Sequence, residues 1–124
     1  MAIIERRFTY RGTIGLTTSD LQLVREGRKT CTVRLGELDV ADRDIWLSDR
    51  RSRVKVEVTR VENKRRFGDL TEADARFDGQ PTLEAMSADL AKFYGAIEPA
   101  QPITVIWFRL KDEPFRPSSP LQST

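Results

Sequence analysis

Within the run Gly27-Arg28-Lys29-Thr30-Cys31-Thr32-Val33-Arg34, an amine, a hydroxyl and a guanidinium fall within six residues. Together they can grip a polar group or help to break a bond in it. A threonine hydroxyl is a weak nucleophile until its proton is taken. A neutral lysine amine can take that proton where burial or the charges of Arg28 and Arg34 favour the uncharged form. Arg34 offers a planar fork of donors suited to a carbonyl, a phosphate or a base edge. Asp78 can protonate a leaving group if the fold brings it opposite Lys29 and keeps it protonated while the amine is neutral. The same residues also have plain structural uses. Lys29 and Arg34 can bind a phosphate or satisfy strand-end carbonyls, Thr32 can be an ordinary strand residue, and Asp78 can close an Asp-Gly turn on its own backbone.

The composition narrows the chemistry. There is no histidine among the 124 residues, which excludes an imidazole base, a histidine triad and a His-containing zinc site. One cysteine makes no internal disulfide, and Cys31, alternating with Val33, reads as a small buried hydrophobe. Neither a metal nor a cofactor is implied. Hydrophobic residues make up 39% and charged residues 32%, so one core under a densely charged surface is expected. With no apolar stretch long enough for a bilayer and no N-terminal secretory pattern, the expected location is the cytoplasm, with no membrane partner. A net charge of +2 does not by itself argue for nucleic acid. Its distribution is uneven, however: Arg25, Arg28, Lys29 and Arg34 form one basic group, Arg50, Arg51, Arg53 and Lys55 a second, and Lys64, Arg65 and Arg66 a third, each in or beside an expected turn.

The elements that position the motif follow from caps and periodicity. Thr17 can cap a short helix with Asp20 in its first turn, and Gly27 supplies a left-handed end. Lys29 then sits at a helix-to-strand turn. Beyond it, Thr30, Thr32 and Arg34 alternate with Cys31 and Val33, the pattern of a strand with one polar and one apolar face. A first strand is expected over residues 3–10. Val54, Val56 and Val58 alternate with polar residues over 53–61, and Val61 falls out of register, so either a bulge near Thr59-Arg60 or the end of the strand is expected. The segment 103–110 is apolar on both faces and reads as a central strand. Thr71 can cap a short helix to about Phe77, broken by Asp78-Gly79-Gln80-Pro81. Thr82 can cap a longer one whose stripe Leu83, Met86, Leu90, Phe93 and Tyr94 is expected to be core, ending at Gly95. Trp46 is expected to be buried in a strand, with base stacking the lesser option. From residue 112 periodicity ends, and a flexible tail over 112–124 is expected after a single domain at 1–111.

The Gly27-x-Lys29-x-x-Thr32-x-Arg34 pattern resembles the signature of the ASCH domains, small proteins with a PUA-like β-barrel. Asp42-Arg43-Asp44-Ile45-Trp46-Leu47 is similar to the family's strand after a Gly-Asp turn, with Ala41 in place of the glycine. Phe67 to Ala75, containing Asp69-Leu70-Thr71-Glu72, resembles its helix start, Asp78-Gly79 its acidic turn, and Ile103 to Phe108 its closing strand. The resemblance spans about residues 8 to 110. It implies an α+β fold: a small, mixed-strand, PUA-like barrel with helices at its openings.

It also implies a ligand site at Arg28, Lys29, Thr32 and Arg34, and RNA or a nucleoside or nucleotide as partner. The leading expectation is an RNA- or nucleotide-binding domain. A second is an amidohydrolase resembling the bacterial enzymes that deacylate N(4)-acetylcytidine, with Lys29 as proton acceptor, Thr32 as nucleophile and Asp78 standing where those enzymes carry a glutamate proton donor. A third is a ribonuclease using the same residues on a phosphodiester.

Overall fold

Alternation, caps and breakers are converted into two sheets and three helices. The computed structural model describes residues 8–111. The tail expected over 112–124 and the start of the first expected strand, residues 3–7, lie outside the described residues. Strands β1 (Phe8–Tyr10) and β4 (Leu38–Val40) form a two-stranded parallel sheet. The main sheet has the order β2 (Thr13–Gly15), β5 (Asp44–Ser48), β6 (Arg53–Arg66), β7 (Pro102–Leu110) and β3 (Cys31–Leu35). The β2–β5 pair is parallel and the others are antiparallel. Helices α1 (Thr18–Arg25), α2 (Glu72–Phe77) and α3 (Leu83–Tyr94) complete the α+β fold.

Each helix starts where a side chain can satisfy free N–H groups. Thr17, Thr71 and Thr82 accept from Asp20, Asp74 and Ala85 main-chain N–H groups. Gly27 leaves α1 with φ +75°, a conformation glycine adopts without steric penalty. The bulge in β6 falls between Val58 and Arg60 as expected, and a second irregularity follows between Glu62 and Arg65. That second shift lets the strand run on to Arg66, so Lys64, Arg65 and Arg66 belong to its end.

Strand β7 separates two cores, as its two apolar faces require. Ile106 and Phe108 pack with Leu21 and Val24 of α1, and with Ile14, Ile45, Leu47 and Val56. Ile103 and Val105 pack with Cys31, Val33, Leu70, Ala75, Met86 and Leu90 beneath α2 and α3. Each fully buried aliphatic side chain contributes about 1.5 to 3 kcal/mol. Cys31 is fully buried, and burial pushes its thiol pKa far up, so it is a core residue.

The main sheet curls until its edge strands β2 and β3 face one another. Arg34 on β3 donates through a terminal nitrogen to the Gly15 carbonyl on β2 at 2.6 Å. No main-chain pairing joins these edges among the described residues, so the closed barrel implied by the resemblance is not formed. The physical reason is the shortness of β2: after Gly15 the chain turns at Thr17 into α1, and β3, paired with β7 on one side, has no strand along its outer edge among the described residues. Among the described residues no helix is long and apolar enough to cross a membrane.

Candidate functional site

A cleft of about 510 Å³ opens along this seam, within the roughly 300–1,000 Å³ typical of small-molecule sites. Lys29, Thr32, Arg34 and Asp78 all line it. The chain between α1 and β3 is pinned on both sides: Arg28 and Lys29 N–H groups donate to the Leu23 carbonyl, and the Thr30 N–H donates to the Phe77 carbonyl at 2.7 Å. These bonds carry the Lys29 side chain under the C-terminus of α2.

There Lys29 Nζ donates to Asp78 Oδ1 at 2.6 Å and to the Asp78 main-chain carbonyl at 3.0 Å. Both side chains are buried, 3% and 9% exposed. The Asp78 carboxylate therefore binds Lys29 across 49 positions of sequence instead of closing on its own turn. Gly79 makes room for the contact. Its φ is +90°, and a Cβ there would stand 3.0 Å from Leu23 Cδ1 and 3.4 Å from Lys29 Cβ. Burial raises the Asp78 pKa, against the charge and hydrogen bond of Lys29, while Asp20 and Asp89 add to the rise. Moving one proton along the 2.6 Å bond would convert ammonium and carboxylate into amine and carboxylic acid.

Thr32 is 3% exposed, and its Oγ1 accepts from Arg34 Nε at 3.2 Å. Arg34 is thereby fixed at both ends of its fork, by Thr32 and by Gly15, with its guanidinium 5.9 Å from the Tyr10 ring centroid. Among the described residues the Thr32 hydroxyl donates to no acceptor. No hydrogen bond joins Thr32 to Lys29 among the described residues. Arg28 does not line the cleft; its side chain is 70% exposed and sits 3.5 Å from Glu26.

The structure adds residues that sequence patterning assigned elsewhere. Phe93 and Tyr94 are 62% and 39% exposed and line the cleft, contrary to the core role expected from their spacing. They occupy the last turn of α3, where Gly95 ends the helix beyond the layer that Met86 and Leu90 cover. That position next to the terminal glycine was the available signal. Asp20, Asp49, Asp89 and Arg50 also line the cleft. Arg50 holds φ +81°, a left-handed conformation that costs a non-glycine residue about 1 kcal/mol or more. Asp49 fixes that turn by accepting from Arg51 and Ser52 N–H groups, which pulls its pKa down to about 2.

Trp46 is half-buried instead of buried, and its ring is covered by Arg53 at 3.9 Å and Lys55 at 4.4 Å. The third basic group is occupied structurally. Lys64 pairs with Glu37, Arg65 with Asp74 and Glu62, and Arg66 donates to the Ala100 carbonyl. Among the described residues no group of three or more acidic or cysteine side chains is placed to hold a metal ion.

No protein-family model matches the chain, and no curated protein matches it. Among solved structures, it is similar to protein EF3133 from Enterococcus faecalis, of the family DUF984, at 19% identity and a TM-score of 0.55, covering 89% of this chain and 78% of that one. It is also similar to hypothetical protein PH0355, at 14% identity and a TM-score of 0.50, covering 85% of this chain and 99% of that one. Likeness at such identities establishes a shared α+β fold, and the reading of the site rests on the chain's own residues.

Proposed function

We propose that this chain is an ASCH-type domain with a PUA-like barrel left open at one seam, acting in the cytoplasm on RNA or a nucleotide and taking the base into the cleft. The observation that carries this reading is the convergence of Lys29, Thr32, Arg34 and Asp78 on one cleft walled by Phe93 and Tyr94. An aromatic wall suits the flat face of a base, and the Thr32 hydroxyl and fixed Arg34 suit its polar edge. The cleft lining carries Asp20, Asp49, Asp78 and Asp89 against Lys29, Arg34 and Arg50. That balance suits an uncharged base better than a phosphate, which belongs outside.

The 2.6 Å contact of Lys29 with Asp78 favours a second reading, hydrolysis of an acylated base. In the amine and carboxylic acid form of the pair, Lys29 accepts the Thr32 proton as Oγ1 attacks the acyl carbon. Asp78 gives its proton to the departing amine nitrogen, and water then cleaves the threonyl ester. A buried ion pair adds little net stability over an apolar pair of the same shape, so stability alone does not account for this one. The ribonuclease expectation is less favoured, because the four aspartates lining the cleft oppose the phosphodiester that it would have to admit.

Incubation with N(4)-acetylcytidine, cytidine and single-stranded RNA, followed by chromatography and calorimetric titration, tests both readings. Binding of a nucleoside without turnover fits the binding domain. Release of cytidine that disappears in Lys29→Met and in Thr32→Val fits the amidohydrolase. Absence of binding by every one of these ligands contradicts the reading of the cleft.

A further inference from the structure

Among the described residues, the cations along β6 and β7 and in the β5–β6 turn fall into two populations. On the far half of β6 and at the end of β7 the cations are matched to acids, Arg60 to Glu62, Lys64 to Glu37, Arg65 to Asp74, Arg109 to Glu57 and Lys111 to Asp44, except Arg66, which donates to the Ala100 carbonyl. Those on the β5–β6 hairpin are not. Arg50, Arg51, Arg53 and Lys55 have no carboxylate at ion-pair distance among the described residues. The one acid in the turn, Asp49, is committed to the Arg51 and Ser52 N–H groups. Arg25, in the last turn of α1, joins the group by donating to Ser52 Oγ at 3.1 Å.

This unmatched ridge has a direction. In chain order it begins at Arg50, which lines the cleft, and continues through Arg51 to Arg53 and Lys55, which share the face of Trp46. Trp46 lies beneath Arg53 and Lys55, which are held over its ring at 3.9 and 4.4 Å, so their stems are supported while their charges stay at the surface.

We infer that the β5–β6 hairpin is a phosphate-binding ridge for single-stranded RNA, one of whose bases turns into the adjacent cleft. The inference rests on the reading of the cleft as a base site. It assigns the backbone to a surface outside the cleft, where the acids lining the cleft do not oppose it. A single strand is the fitting form because its base enters the cleft without the cost of unpairing. Clustered unmatched cations are the electrostatic part of a strand-tracking surface, and Trp46 supports two of them.

The test is binding of a ten-nucleotide single-stranded RNA and of cytidine to the wild-type chain and to the R51Q/R53Q/K55Q variant. The wild type is expected to bind the oligomer at least about tenfold more tightly than cytidine. With about three phosphate contacts, a rise from about 50 to 200 mM salt should weaken the oligomer roughly tenfold to twentyfold and leave cytidine unchanged. The variant should lose the oligomer's advantage and keep the cytidine affinity, which also shows that it has folded. The salt series on the wild type is independent of how the variant folds. Oligomer and cytidine binding alike, or the variant holding the oligomer as tightly as wild type, overturns the ridge but not the base site. Equal competition by polyglutamate of the same length also overturns it, as a general anion surface. Failure of both ligands to bind the wild type overturns the base site and the ridge with it.

Discussion

Two aspartates four residues apart at α2 meet opposite fates. Asp74, in the first turn, caps Thr71 and takes Arg65 at 2.7 Å; Asp78, just past the last turn, takes Lys29 at 2.6 Å. Asp74 is surrounded by donors: the Thr71 N–H and hydroxyl, and two guanidinium nitrogens of Arg65. Although burial opposes ionisation, those bonds prevail and its pKa is lowered. Asp78 lies at the carbonyl end of the helix with one cationic partner, and burial raises its pKa. A carboxylate supplied with donors on all sides is a structural tie. One whose pKa is raised by burial, bonded to a single lysine at the wall of a cleft, is a chemical resource.

Substitution should separate the two pairs most sharply. Lys29→Met leaves a buried carboxylate without its cation and should destabilise the fold by about 3 to 5 kcal/mol. Lys29→Met combined with Asp78→Leu should restore stability to within about 1 kcal/mol of wild type in urea unfolding, because buried pairs replaced by apolar groups are often neutral. Asp74→Ala should cost about 2 to 4 kcal/mol through loss of the cap and the Arg65 tie. Ligand affinity per folded molecule should be unchanged. If the double Lys29/Asp78 variant is as damaged as either single variant, the pair is structural and the contrast fails.

Gly79→Ala addresses the packing that supports only one of the pairs. The methyl group meets Leu23 at 3.0 Å in a left-handed conformation, so a loss of about 1 to 2 kcal/mol is expected. Binding should weaken beyond what unfolding explains, since the stem of Lys29 must move. Calorimetry on the folded fraction measures that difference.

The pH dependences should run in opposite directions. Asp78, with a raised folded pKa, contributes stability that is fully present below the unfolded carboxylate value of about 3.9 and is lost as pH rises through its folded value. Asp74, with a lowered folded pKa, contributes stability present above about 3.9 and lost as pH falls through its folded value. Urea unfolding across acid to neutral pH should show the loss on rising pH reduced in Asp78→Asn and the loss on falling pH reduced in Asp74→Asn. The same slope change in both variants would erase the distinction.

The smallest stability effect belongs to the cleft rim. Phe93→Ala removes a side chain 62% exposed, so stability should change by less than about 0.5 kcal/mol. Nucleoside affinity should fall roughly fivefold, about 1 kcal/mol of lost aromatic contact. Equal affinity in this variant would remove Phe93 from the site.

Local signals were legible in the sequence, and long-range ones only in part. The threonine caps, Gly27, the β6 bulge and the two-faced β7 each depend on neighbours a few residues away, and each stands where patterning put it. The motif strand was legible for the same reason. The contact of Asp78 with Lys29 spans 49 positions and was only conditional, because an Asp-Gly turn explains the same residues locally. Phe93 and Tyr94 fit a helical stripe, but periodicity does not say how far along a helix its covering layer extends. Trp46 alternates correctly with Ile45 and Leu47, yet the residues that cover it come from the next strand. Sheet closure was the least legible, since it depends on whether one three-residue strand can serve two neighbours.

The most direct test of the central claim is calorimetric titration of N(4)-acetylcytidine into wild type and into Lys29→Met/Asp78→Leu, with unfolding free energy measured on the same samples. A functional pair predicts a folded double variant of near-wild-type stability that gives no binding heat. Undiminished binding by a folded double variant would contradict it, and would leave Lys29 and Asp78 as one more structural tie beside Arg65 and Asp74.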